Sequence, residues 1–99
     1  MKYKLLIPPL VEKTIAHLPP NLKKKVRFAL LEIQEDPYMG KLLRDELKGL
    51  WSFRVSRYRI VYRIHLNRIE IHVIDIGLRN IIYERIVDLI RTEAEDENR

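Results

Sequence analysis

From Trp51 to Val73, apolar residues recur at every second position in three successive runs. Trp51, Phe53 and Val55 alternate with Ser52, Arg54 and Ser56. Ile60, Tyr62 and Ile64 alternate with Arg59, Val61, Arg63 and His65. Ile69, Ile71 and Val73 alternate with Glu70 and His72. A period of two belongs to β-strands, whose side chains point to opposite faces in turn. Breaks at Ser56-Arg57 and Leu66-Asn67-Arg68 separate the runs. The pattern therefore predicts an antiparallel meander that closes at Gly77.

Ahead of the meander the period changes. KYKLLI is a short β-prone run stopped by Pro8-Pro9. In LVEKTIAHL, Leu10, Ile15 and Leu18 fall near one side of a helix, with Glu12, Lys13 and His17 elsewhere. After Pro19-Pro20-Asn21, residues Leu22, Val26, Ala29, Leu30 and Ile33 recur at helical spacing until Asp36-Pro37. The two segments read as a helical hairpin. Residues 38–50 are a transition with some helical turns, ending at Gly49. Beyond the meander, Asn80 is placed to cap a last helix, IIYERIVDLIRT, with Ile82, Ile86, Leu89 and Ile90 on one face. The order β-α-α-β-β-β-α predicts an α+β fold: an N-terminal strand, a helical hairpin, an antiparallel β-meander and a C-terminal helix. Its helices are expected on one face of the sheet.

At 99 residues, with no repeat or linker, the chain reads as one domain over residues 1–91 followed by an acidic, frayed tail at 92–99. There is no cysteine, which removes disulfides and thiolate chemistry. No apolar run approaches the roughly 20 residues of a membrane span, and a cytoplasmic location is expected. Residues 1–91 hold 18 Lys/Arg against 10 Asp/Glu, while the tail holds one Arg against four acids. So basic a domain attracts polyanions.

Alternation also sorts the arginines. With Trp51, Phe53, Val55, Ile60, Tyr62 and Ile64 turned to the helices, Arg54, Arg59 and Arg63 face away, and Arg54 and Arg59 flank the same turn. Trp51 is expected to seal the core. Clustered arginine is either a solvated, acid-balanced face or a site for an anion, and its planar fork favours phosphate. His17, His65 and His72 have the intrinsic pKa for proton transfer but read as surface residues.

The strings Leu47-Lys48-Gly49, Trp51, Arg54-Val55, Tyr58-Arg59-Ile60-Val61-Tyr62, Ile76-Gly77, Arg79 and Tyr83 resemble the RelE/ParE toxin superfamily over nearly the whole chain. The resemblance implies a toxin of a type II toxin–antitoxin pair, with a cognate acidic antitoxin protein as partner. RelE-like members are mRNA interferases. They cut mRNA in the ribosomal A site by attack of a 2′-hydroxyl on the adjacent phosphate, without metal or other cofactor. Carried over, Arg59 and Arg79 contact the scissile phosphate, Arg54 supplies a further cation, and Tyr83 orients the cut nucleotide. Arg57, Arg63 and Lys48 are expected to attract RNA. An arginine, with a pKa above about 12, is a poor general base, so the proton acceptor stays open. Ser52 stands where some active members carry a lysine. Two other readings follow: a ParE-like inhibitor of DNA gyrase, and a catalytically degenerate homologue that only binds antitoxin.

Overall fold

The computed structural model describes residues 2–97. The chain runs β1 (Lys4–Leu6), α1 (Pro9–Ala16), α2 (Pro20–Glu35), β2 (Lys41–Leu42), β3 (Trp51–Val55), β4 (Tyr58–His65), β5 (Glu70–Leu78) and α3 (Arg79–Glu97). Single 3-10 turns lie at Pro37–Met39 and Asp45–Leu47. This is the expected α+β class. Proline opens both helices of the hairpin, where its fixed φ fits and its missing N–H costs nothing. The two-residue turn between β3 and β4 sets Ser56 at φ 58°, which closes the hairpin tightly.

The five strands are ordered β1-β5-β4-β3-β2. The meander is antiparallel, as its alternation predicts. The sheet as a whole is mixed rather than antiparallel: β1 lies parallel to β5, with Lys4 opposite Glu70 and Leu6 opposite His72. The helical hairpin and the meander together provide the long connection that a parallel neighbour requires. β2 adds a two-residue edge beside β3 within the segment that reads as a transition.

The helices do not share one face. The hairpin buries Val11, Ile15, Val26, Leu30 and Ile33 against Val55, Ile60, Tyr62, Ile71, Val73 and Ile76. α3 crosses the opposite face, where Ile82 and Ile86 pack on Leu50 and Val61, flanked by Leu43, Leu47 and Ile74. The reason is local. Val61 is the apolar member of the outward row of β4. A bulge between Val61 and Tyr62 skips Ile74 in the register, since Val61 pairs with Asp75 and Tyr62 with Val73. Val61, Ile74 and Leu50 together make an apolar strip, which α3 covers. Within α1 the inward residues are Val11 and Ile15, while Leu10 is 79% exposed.

Tyr62 is fully buried, and its hydroxyl donates to the Pro37 carbonyl at 2.6 Å. Burial pushes its phenol well above the ordinary tyrosine range. A side chain at Gly40 would run into that hydroxyl and the Ser52 carbonyl oxygen. α3 continues through Glu97, so the segment expected to fray from residue 92 is helical to that point; residues 98–99 lie outside the described residues. Arg91 holds Glu46 through two hydrogen bonds of 3.0 and 2.9 Å and fastens this half of α3 to the 3-10 turn. Among the described residues, no helix is long and apolar enough to cross a membrane.

Candidate active site

The end of the α3 face where β3 turns into β4 collects the arginines. Arg54 and Arg59 are direct cross-strand partners, which sets their Cβ atoms about 5 Å apart. Arg59 stands opposite Gly77 on β5. Over Gly77 lies the guanidinium of Arg85, so close that a Cβ there would meet Arg85 Nη2 at 2.6 Å. Arg85 is held by Asp75 Oδ2 at 2.7 Å and by the Ile76 carbonyl at 3.1 Å. This clamp fixes the start of α3 on β5. On the other side, the Arg79 N–H donates to the Arg57 carbonyl at 3.2 Å and joins the first residue of α3 to the hairpin turn. Tyr83 follows Arg79 by one helical turn and stands above it on the same side.

Arg59, Arg79 and Tyr83 form a wall shared by two open basins. One, of ≈ 720 Å³, is completed by Arg54, Ser56, Arg57, Leu78 and Asn80. The other, of ≈ 600 Å³, is completed by Lys41, Arg44, Asp45 and three leucines. The ion pairs among the described residues join Arg27 to Glu12, His72 to Glu70, Arg85 to Asp75 and Arg91 to Glu46. None of these involves Arg54, Arg57, Arg59 or Arg79. Two cations about 4 Å apart repel by about 1 kcal/mol even at a water-like dielectric. The N-terminus of α3 adds its positive end to the same place. An anion with several oxygens, such as a phosphodiester, relieves this charge.

The expected site residues divide into two groups. Arg54, Arg57, Arg59, Arg79 and Tyr83 come together. Arg63 and Lys48 border neither basin. Arg63 pairs across the strands with His72 at the opposite end of β4. There the His65 and His72 rings lie 4.0 Å apart and His72 bonds Glu70 at 3.0 Å. Loss of hydration, then His72 and Arg63, hold the His65 imidazole below its ordinary pKa, and the His72 hydrogen bond holds the Glu70 carboxyl low. His17 bonds the Lys13 carbonyl on an exposed helix. No histidine borders either basin.

Alternation places Ser52 on the face away from the hairpin, expected to be open; α3 covers that face here, and Ser52 is only 2% exposed. Its Oγ lies 2.8 Å from the Tyr83 phenol oxygen. The position where the family resemblance looks for lysine is thus enclosed beneath Tyr83. Trp51 is half-buried in the hairpin-side core, with Tyr38 edge-on at 5.4 Å between ring centroids. Two basic residues escaped the sequence reading. Lys41 and Arg44 lie in KLLRDELKG, where no periodicity marks a face; their only signal is positive charge just before the meander. Among the described residues, no group of three His, Asp or Glu side chains is arranged to hold a metal ion.

Known proteins resemble the chain in sequence and in fold. The family described as ParE toxin of type II toxin-antitoxin system, parDE, matches residues 7–83. Toxin RelG of Mycobacterium tuberculosis is 32% identical over 87 residues, which span 86% of this chain and 100% of that protein. Among solved structures, the RelBE2 toxin–antitoxin complex of the same organism superposes with a TM-score of 0.70 at 28% identity, covering 80% of this chain and 93% of that one. The isolated RelE toxin of E. coli gives 0.66 at 23% identity, covering 89% and 98%, and shares the fold. With the family match spanning both helices of the hairpin, strands β2 to β5 and Arg79 to Tyr83, the chain belongs to the RelE/ParE family of type II toxins.

Proposed function

We propose that this toxin is a ribosome-dependent endoribonuclease that cuts mRNA in the A site. The observation that carries this is the shared wall of Arg59, Arg79 and Tyr83, with a basin on each side and with Arg54 and Arg57 at its edge. A strand laid across the wall sets one phosphate against both arginines and a nucleotide in each basin. The RNA supplies its own nucleophile. Its 2′-hydroxyl gives up its proton and attacks the adjacent phosphorus, the P–O5′ bond breaks, the leaving 5′-oxygen takes up a proton, and a 2′,3′-cyclic phosphate remains. The protein orients the backbone in line and stabilises the charge that builds on the phosphorane oxygens. Arg59 and Arg79 serve the non-bridging oxygens, Arg54 the flanking phosphate, and Tyr83 orients the cut nucleotide. On this reading the protein works in the cytoplasm, with translating ribosomes.

An antitoxin belongs to the same proposal. The RelE relatives of Pyrococcus horikoshii and Methanococcus jannaschii are solved in complexes with RelB, and a YoeB from Staphylococcus aureus in complex with YefM. In this chain an apolar groove of ≈ 580 Å³ between α2 and β3 holds Phe28 and Phe53, with Lys24, Lys25 and Arg54 at its rim. An acidic, amphipathic antitoxin segment fits that combination. Arg54 borders this groove and the first basin, so a segment seated here also neutralises the edge of the RNA site.

The test is expression of the chain in translating cells, followed by primer extension on a reporter mRNA. Cuts at codon positions that disappear with Arg79→Ala support the nuclease. The family description as a ParE toxin favours gyrase inhibition as the second reading. Growth arrest with intact mRNA and DNA damage selects that one, and absence of toxicity selects the degenerate homologue.

A further inference from the structure

We infer that Ser52 is a positioning residue for Tyr83, donating its hydroxyl proton to the phenol oxygen and thereby turning the phenol's own proton out toward the groove. The inference rests on the nuclease reading for its catalytic consequence, but not for the hydrogen bond itself. Ser52 is the buried polar residue of the described core, 2% exposed, with its Oγ 2.8 Å from the Tyr83 oxygen. By distance either hydroxyl qualifies as donor. Proton accounting decides between them. Ser52 Oγ has no other partner, and no buried side-chain polar atom is left unsatisfied. If Tyr83 donated, the Ser52 proton would be stranded in the core, which is the costly arrangement for a buried donor. If Ser52 donates, its proton is used and only a lone pair goes without. Tyr83 is half-buried and borders both basins, so its proton meets solvent or ligand there.

The consequence is a fixed donor. With its oxygen held from beneath by Ser52, the Tyr83 O–H points to the wall it forms with Arg59 and Arg79. A phosphate oxygen held by those arginines receives a third hydrogen bond, one that strengthens as negative charge builds in the phosphorane. No proton needs to leave Tyr83. A small neutral hydroxyl suits this enclosed position because it orders the phenol without placing a charge in the core.

The test compares Ser52→Ala, Ser52→Thr, Tyr83→Phe and the double variant Ser52→Ala/Tyr83→Phe. It uses the full chain with translating ribosomes and tyrosine labelled with ¹³C at Cζ. Ser52→Ala is expected to lower kcat about tenfold, the worth of one hydrogen bond, with KM within twofold. Ser52→Thr, which keeps the hydroxyl, restores most of the loss. In the Tyr83→Phe background, Ser52→Ala causes no further loss. Without RNA, the Tyr83 Cζ resonance, identified by its absence in Tyr83→Phe, shifts in Ser52→Ala and stays in place in Ser52→Thr. An unmoved resonance in Ser52→Ala, or independent losses in the double variant, overturns the assignment. A wild-type chain that cuts no RNA while the resonance still responds overturns the nuclease reading and leaves the hydrogen bond standing.

Discussion

Arg79 is a residue whose removal should separate fold stability from chemistry. Its backbone N–H ties α3 to the hairpin turn, whereas its side chain points to the basins without an ion-pair partner among the described residues. Arg79→Ala should therefore leave the melting temperature nearly unchanged while lowering single-turnover cleavage by about 10²–10³-fold, the worth of one transition-state donor. Arg79→Lys should recover only part, because an ammonium lacks the planar fork. Tyr62 presents the opposite case. Tyr62→Phe removes the hydroxyl and leaves the Pro37 carbonyl without its partner, at a cost of about 1–3 kcal/mol. It should lower the denaturation midpoint and, in the folded fraction, leave cleavage intact. At this scale Arg54 and Arg59 were legible in the sequence because a strict period of two fixes which face they share. The enclosure of Ser52 was not, because it depends on a helix that arrives from thirty-one residues away in the chain.

At the scale of elements, α3 decides whether the site exists, since it brings Arg79 and Tyr83 to Arg59. Ile82 and Ile86 attach it, with Arg85 and Arg91 as clamps. Ile86→Ala should cost about 2–5 kcal/mol and raise amide exchange along α3 ahead of the hairpin. The meander and the helical hairpin were legible because each shows a single clean period. The face of α3 was not. Val61 and Ile74 are single apolar residues in polar rows, and the bulge that brings Ile74 into the strip has no signature except a spacing of three between Val73 and Ile76. β2 was hidden because two residues show no period at all. The far end of β4 and β5 carries a pH dependence of its own. The His65 pKa is lowered by folding, so below the ordinary histidine range the unfolded chain takes up a proton that the folded chain refuses. Stability should fall as pH drops from about 6.5 toward the lowered value. Glu70, also lowered, extends the loss to still lower pH as its carboxylate protonates. His65→Gln should flatten the upper part of that slope in melting curves taken between neutral and mildly acidic pH.

For the whole molecule, the question is how a chain of net charge +5 directs its attraction. Much of the positive charge is spread over exposed surface, where salt screens it and flexible lysines gain little from any one partner. The basins differ in that Arg54, Arg57, Arg59 and Arg79 are presented by a rigid sheet, its turn and the first residue of a helix. Their order is already set by backbone pairing before any ligand arrives. On the proposed reading, RNA binding then converts counterion release into affinity at a defined place. Four arginine–phosphate contacts with a single strand predict that log K falls with log salt with a slope of about −3. A fluorescence anisotropy titration with a short oligoribonucleotide, 2′-O-methylated so that it cannot be cut, measures this slope. Arg59→Gln should reduce its magnitude by about 0.7. Arg63→Gln removes the same unit of charge from the far end of β4, beyond both basins, and should leave the slope close to that of the wild type. Equal changes from the two substitutions would show that the attraction follows net charge alone, and the basins would lose their claim to the RNA backbone.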